Sequence, residues 1–515
     1  MQPPGSFLKR ATRNFAFSGF GTASNFIVGF LFAGLAIRYL GEARAGFFMS
    51  VAALTGLNAL FNDFGLGAPA VRRVAALNVQ GDFAAARRVV GSVCTVGLIS
   101  SLTITVPLLL LFPKVFAWSR LPPGLREDAF WAMLMTLGGY ILWQASYQWR
   151  ATYTALERYD LMSLLDTAYG LLTGLASITI LLCVPTMSAL AAVRLGCSLA
   201  RSLTDACFMR RLLHRTPWPS WHWREIRPLA AFSGWVYLED IGTVLLTRAN
   251  SLVLTTFLGS APLPYYQLPQ SCFNQVNSAL GNQCQFIFPM LASYGEGAAL
   301  QARRVEDRLR WFVALGSGAI YTLLALIGPL LLARLVSPAF ASKAQLPLYL
   351  ACLQGFCQAQ SFVPSFTTYA LGWGKPNAVI RLAQGACALL AGLLLIPRFG
   401  VLGASLAQLV VILAVVAQSI WVRRLVTPDL PALGWLAPLG SPAAMILVWL
   451  TVARLAELAL PPGIPGACVA GLAGGIAGLG CLLAIEAGPC RANQRWATLT
   501  RVISLPLRKL SGRAV

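Results

Sequence analysis

MSALAAVRLGCSLARSLTDACFM, residues Met187–Met209, is an apolar run that carries two arginines, Arg194 and Arg201. As an α-helix rising 1.5 Å per residue it is about 35 Å long, enough to cross the ~30 Å hydrocarbon core of a bilayer. An arginine near the middle of such a span costs about 2.5–3.5 kcal/mol on insertion scales, so each needs a compensating neighbour or a wet surface. At about 100° per residue the two lie about 20° apart, and Ser198 and Asp205 fall on the same stripe. Two readings stay open. The stripe is a cationic path for something anionic, or Arg201 pairs with Asp205 one turn on and only packs helices.

Runs of this kind recur along the chain. Of its 515 residues 57% are hydrophobic and 11% charged, whereas a soluble domain carries about 25% charged residues. That balance predicts an all-α integral membrane protein, because in lipid each backbone polar group must be bonded within its own segment. Fourteen segments are expected, at 14–37, 47–70, 89–112, 129–149, 161–184, 187–209, 230–258, 264–291, 310–333, 345–371, 377–396, 400–422, 434–455 and 464–486. The even number places both termini on one side. Most of the 40 basic residues lie at the termini and in the loops after even-numbered segments, which makes that side cytoplasmic.

The net charge of +22 is thus a topology signal, and nucleic-acid binding is a poor reading of it. Trp218, Trp221 and Trp223 with Arg224 and Arg227 read as an interfacial anchor. The basic tail, residues 491–515, reads as lying on the inner leaflet. The 12 cysteines form no CxxC pair and only two histidines are present, so neither a metal site nor a disulfide framework is expected. No cofactor is expected either, and no GxxxxGK[ST] phosphate loop is present, which speaks against ATP hydrolysis. The loops are too short to hold a catalytic domain.

The chain nearly repeats itself. Phe17-Ser18-Gly19 recurs as Phe232-Ser233-Gly234, and the stretch 39–48, YLGEARAGFF, matches 257–266, FLGSAPLPYY. Both pairs fall at equivalent places in segments 1 and 7. The expected organisation is two six-helix lobes in parallel pseudo-repeat, 1–213 and 230–424. A cytoplasmic linker, 214–229, joins them, and two further helices at 425–490 precede the tail. Repeats related by an axis along the membrane normal are one way secondary transporters are built.

The same residues carry a family resemblance. IRYLGEARAGFF (37–48), LFNDFGLGAPAVRRVA (60–75), LTRANSLVLTTFLG (246–259), and YALGWGKPNAVIRLAQG (369–385) followed by IPRFGVLGASLAQ (396–408) together resemble the polysaccharide-repeat flippases. These belong to the multidrug/oligosaccharidyl-lipid/polysaccharide (MOP) exporter superfamily. One departure is Asn250, where the pattern often has an acid. The resemblance implies a polyprenyl-diphosphate-linked oligosaccharide as cargo, moved across a bacterial cytoplasmic membrane, with polysaccharide polymerase machinery as a partner.

A diphosphate calls for arginine, whose planar fork makes charge-assisted paired hydrogen bonds. Arg194, Arg201 and Arg248, with Ser198, are the candidate cavity residues. Glu239 and Asp240, well inside segment 7, are the first candidates for coupling to H+ or Na+, with Asp205, Asp63 and Asp166 behind them. The alternatives are a peptidoglycan lipid-precursor flippase, a multidrug/cation antiporter of the same superfamily, and a membrane polymerase or glycosyltransferase.

Overall fold

Apolar runs become helices in the computed structural model of the protein, which describes residues 21, 24–57, 64–156, 158–285, 287, 291, 298–371, 374–426, 439–459 and 464–486. No strand occurs among them. Six of the described helices are long and apolar enough to cross a membrane, and three shorter apolar ones join them. The protein is therefore a multi-pass helical membrane protein.

In chain order the helices begin with α1 (Ser24–Leu40) and α2 (Glu42–Leu57). Next come α3 (Gly67–Val79), α4 (Phe83–Leu110), α5 (Phe112–Ser119), α6 (Arg126–Ala155), α7 (Tyr159–Cys183) and α8 (Met187–Leu212). The linker leads into α9 (Trp223–Val244), which passes through a π-helical turn, Leu245–Ala249, into α10 (Asn250–Leu258). Then follow α11 (Leu263–Cys284), α12 (Ala298–Leu335), α13 (Pro338–Ala359), α14 (Phe362–Ala370), α15 (Gly374–Phe399), α16 (Val401–Gln408), α17 (Val411–Val426), α18 (Gly440–Ala459) and α19 (Ile464–Glu486).

The chain divides into two compact units. The first comprises 1–275, 332–347 and 374–414; the second comprises 276–331, 348–373 and 415–515. In the second unit the closing pair of helices packs on α12. Trp311 is buried with Met445 of α18 and Leu482 of α19, and its Nε1–H donates to Ser441 Oγ at 3.0 Å. Arg310, also buried, donates from Nη2 to Ser419 Oγ at 2.7 Å.

The repeated junctions share a backbone feature in the first unit. Gly41 ends α1 with φ 81° and Gly259 ends α10 with φ 85°. That left-handed region suits glycine and stops a helix. The two junctions also touch. Ser260 Oγ donates to the Ala43 carbonyl at 3.0 Å and its backbone N–H to the Ser119 carbonyl at 3.0 Å. A short run read from sequence as outer loop is here the helix α5, started by Pro113 in its first turn, where a proline loses no helical hydrogen bond.

The linker is docked as well. Arg87 Nη1 donates to the Leu213 carbonyl at 2.7 Å and Thr95 Oγ1 to the Ser220 carbonyl at 3.0 Å. Trp221 and Trp223 stack with centroids 6.3 Å apart, and both are exposed, as an interfacial anchor requires.

Candidate functional site

α8 is the expected arginine helix, held at its start by Thr186, whose hydroxyl accepts from Ala189 N–H. Asp128 adds a second hold, accepting from the N–H groups of Met187 and Ser188 at 3.1 and 3.0 Å. These bonds meet the orphan donors of the first turn and fix which face α8 turns to its neighbours.

On that face Arg201 bridges two carboxylates. Its Nε donates to Asp205 Oδ2 at 2.7 Å and its Nη2 to Asp166 Oδ1, from α7, at 3.1 Å. Arg150, from α6, donates Nη2 to the other Asp166 oxygen at 2.6 Å. Tyr153, also on α6, donates its hydroxyl to Asp205 Oδ1 at 2.9 Å. Tyr169 lies under the guanidinium of Arg201, 5.5 Å from ring centroid to guanidinium carbon. The chain Arg150–Asp166–Arg201–Asp205–Tyr153 thus clamps three helices. Its charges balance, two cations against two carboxylates. Asp205 is completely buried, and that is tolerable because both its oxygens are bonded.

The network lines a cavity of about 210 Å³. Ser198, Arg201, Asp205 and Asp166 all border it, and so do Trp143, Tyr147 and Thr173. Four of the residues singled out in the sequence therefore meet at one place.

The other two arginines are different. Arg194, two turns above Arg201, does not border this cavity. Its guanidinium carbon lies 4.6 Å from the ring centre of Phe32 on α1 and 5.4 Å from that of Phe48 on α2. Its Nε is buried without a hydrogen-bond partner, and no carboxylate pairs with it among the described residues. Two aromatic faces compensate part of the desolvation, and Nε keeps no acceptor.

Arg248 sits in the π-helical turn after α9. Its side chain lies over the bare face of Gly56 on α2, where a Cβ would come within 2.6 Å of Nε. It too has no ion pair among the described residues. π-Helical turns inside α-helices frequently mark functional positions. α2 thus carries, at Phe48 and Gly56, the surfaces against which both arginines rest.

The coupling candidates Glu239 and Asp240 stand on α9, the first half-buried and the second exposed. Asp63 lies outside the described residues. Sequence reasoning missed Arg150, Tyr153, Phe32 and Phe48. Arg150 had been assigned to a loop, yet α6 runs on to Ala155.

The comparisons agree with this fold. Over residues 35–342 the chain matches the family model described as polysaccharide biosynthesis protein. No curated protein sequence matches it. Among solved structures it is similar to the lipid II flippase MurJ in an inward closed conformation, with a TM-score of 0.70 at 10% identity, covering 92% of this chain and 99% of that one. It is also similar to the Vibrio cholerae MATE transporter VcmN, with a TM-score of 0.55 at 15% identity, covering 83% and 98%. A third likeness is to a MOP superfamily transporter from Pyrococcus furiosus, with a TM-score of 0.52 at 14% identity, covering 80% and 95%. With a family model matched over more than half its length, the chain belongs to the polysaccharide biosynthesis protein family, and its fold is similar to that of the MOP superfamily transporter and the other solved structures above.

Proposed function

We propose that the protein is a secondary transporter that flips polyprenyl-diphosphate-linked oligosaccharide from the cytoplasmic to the outer leaflet of a bacterial inner membrane, by alternating access of its two six-helix lobes. One observation carries the reading. Arg194 and Arg248 both rest on α2 without a carboxylate partner among the described residues. An unpaired arginine inside a membrane protein is costly unless it serves a ligand, and a diphosphate offers the acceptors that two guanidinium forks need. Arg201 has a different role: its Nε and Nη2 already bond two acids that balance its charge, so it shapes the site and does not take the phosphate charge. The family description and the fold shared with MurJ support a flippase. The lipid tail stays in the bilayer while the polar head crosses, and H+ or Na+ entering at Glu239 or Asp240 supplies the drive. The polymerase acts on the delivered units.

The same-fold alternative, export of cationic drugs, requires uncompensated acids in the site. Asp166 and Asp205 are each neutralised by arginine, which favours an anionic cargo. The test is deletion of the gene in its host, followed by extraction of lipid-linked repeat units and staining of the surface glycan. Accumulation of the lipid-linked unit with loss of the glycan is expected. An unchanged glycan in a host without a second exporter rejects the proposal.

A further inference from the structure

An aromatic ladder stands beside the ion network. Tyr140, Trp143 and Tyr147 project from one side of α6, with ring centroids 5.7 Å and 4.8 Å apart in sequence. The last of them meets the guanidinium of Arg150 at 5.9 Å. Trp143 and Tyr147 border the same cavity as Asp166, Arg201 and Ser198, and Trp143 is 39% exposed. Flat rings next to oriented carboxylates and guanidinium groups suit one ligand chemistry well. A pyranose ring is apolar on its faces, where axial C–H groups sit, and polar around its rim. Its face packs on indole or phenol, while rim hydroxyls donate to carboxylate and accept from arginine. The charges of the network already balance, so the cavity accommodates hydroxyls without calling for a further charge.

From this geometry we infer that the α6–α7–α8 cavity is a sugar-binding subsite, with Trp143 and Tyr147 as its stacking platform and Asp166 and Arg150 at the hydroxyl rim. The inference rests on the flippase reading and adds a location to it. Ser198 at the cavity edge is one turn of α8 from Arg194, about 6 Å along the helix. A diphosphate held at Arg194 therefore leaves its first sugars within reach of the ladder. The ladder is a specificity device for the head group, separate from the phosphate anchor.

The test uses the full-length protein in lipid nanodiscs and isothermal titration calorimetry with two probes. One is the free repeat oligosaccharide, released from the host's lipid carrier and dephosphorylated. The other is farnesyl diphosphate, a short carrier without sugar. Trp143→Leu keeps an apolar side chain and removes the flat ring, whereas Trp143→Phe keeps a ring. Oligosaccharide binding is expected to weaken about tenfold in Trp143→Leu and less than threefold in Trp143→Phe, a stacking contribution of ordinary size. Farnesyl diphosphate binding is expected to stay at the wild-type level in both. If Trp143→Leu does not fold, Tyr147→Leu and Tyr147→Phe make the same comparison. Wild-type oligosaccharide affinity in both leucine variants, or no oligosaccharide binding by the wild type, overturns the subsite. Failure of farnesyl diphosphate to bind the wild type, with the oligosaccharide pattern as expected, overturns the diphosphate reading and leaves the sugar subsite standing.

Discussion

Arg201 holds Asp205 through Nε at 2.7 Å, one helical turn along α8, with the carboxylate wholly out of solvent. The pair is closed from outside the helix by Asp166 and Tyr153, so each charge has a partner on a neighbouring helix as well as on its own. Removing one partner leaves an uncompensated charge, which typically destabilises by about 3–5 kcal/mol, whereas removing both is milder. Asp205→Leu is expected to lower the thermal unfolding midpoint strongly in detergent. The double variant Arg201→Leu/Asp205→Leu is expected to recover at least about 1 kcal/mol relative to the sum of the singles. Additive effects would mean that the two groups act independently.

α9 and α15 approach backbone to backbone. A Cβ on Gly242 would lie 2.4 Å from the Arg381 carbonyl oxygen, and one on Gly385 would lie 2.4 Å from the Gly242 carbonyl oxygen. Small residues allow such contact between membrane helices. Gly242→Ala is expected to destabilise by about 1–3 kcal/mol through overpacking. Gly234→Ala, on the same helix but facing open space, is the control and is expected to leave the midpoint unchanged. Equal midpoints for the two variants would contradict the close approach.

Asp82 caps α4, accepting from the Ala85 N–H at 2.8 Å. Asp82→Ala is expected to cost about 1 kcal/mol, and Asp82→Asn much less. Thermal unfolding measures both, and an alanine variant as stable as the asparagine one removes the cap from the account.

If Glu239 takes up the coupling ion, Glu239→Gln should abolish the dependence of transport on an imposed H+ or Na+ gradient in proteoliposomes while binding of cargo persists. Asp166→Asn, by contrast, should first show itself as lost stability, because Asp166 bridges Arg150 and Arg201. Gradient-driven transport undiminished in Glu239→Gln would assign coupling elsewhere.

Much of this was readable before any coordinate. Apolar run length sets the helices, and the glycines at the two matched junctions, Gly41 and Gly259, share a positive φ, as a helix stop needs. The Arg201–Asp205 pair follows from i,i+4 spacing alone. What closes that pair does not, because Asp166 and Tyr153 arrive on other helices and spacing within one helix says nothing of its neighbours. The same blindness hid Phe32 and Phe48, whose rings, among the described residues, stand where an acid would pair with Arg194. Arg150 was misplaced in a loop because the apolar run ends before the helix does. Past that point α6 is held by polar contacts with α7 and α8. The ladder Tyr140, Trp143, Tyr147 has a visible helical spacing, and only the cavity beside it gives that spacing a chemical meaning.

The arginines that rest on α2 bear the central claim, and farnesyl diphosphate against farnesyl monophosphate is its most direct probe. Each charge-assisted hydrogen bond lost contributes about 1.5–3 kcal/mol, so two arginines amount to at least about a hundredfold in affinity. In nanodiscs, Arg194→Gln/Arg248→Gln is expected to bind the diphosphate about a hundredfold more weakly than the wild type, with its preference over the monophosphate gone and its thermal stability retained. Wild-type affinity and preference in that double variant would contradict the account.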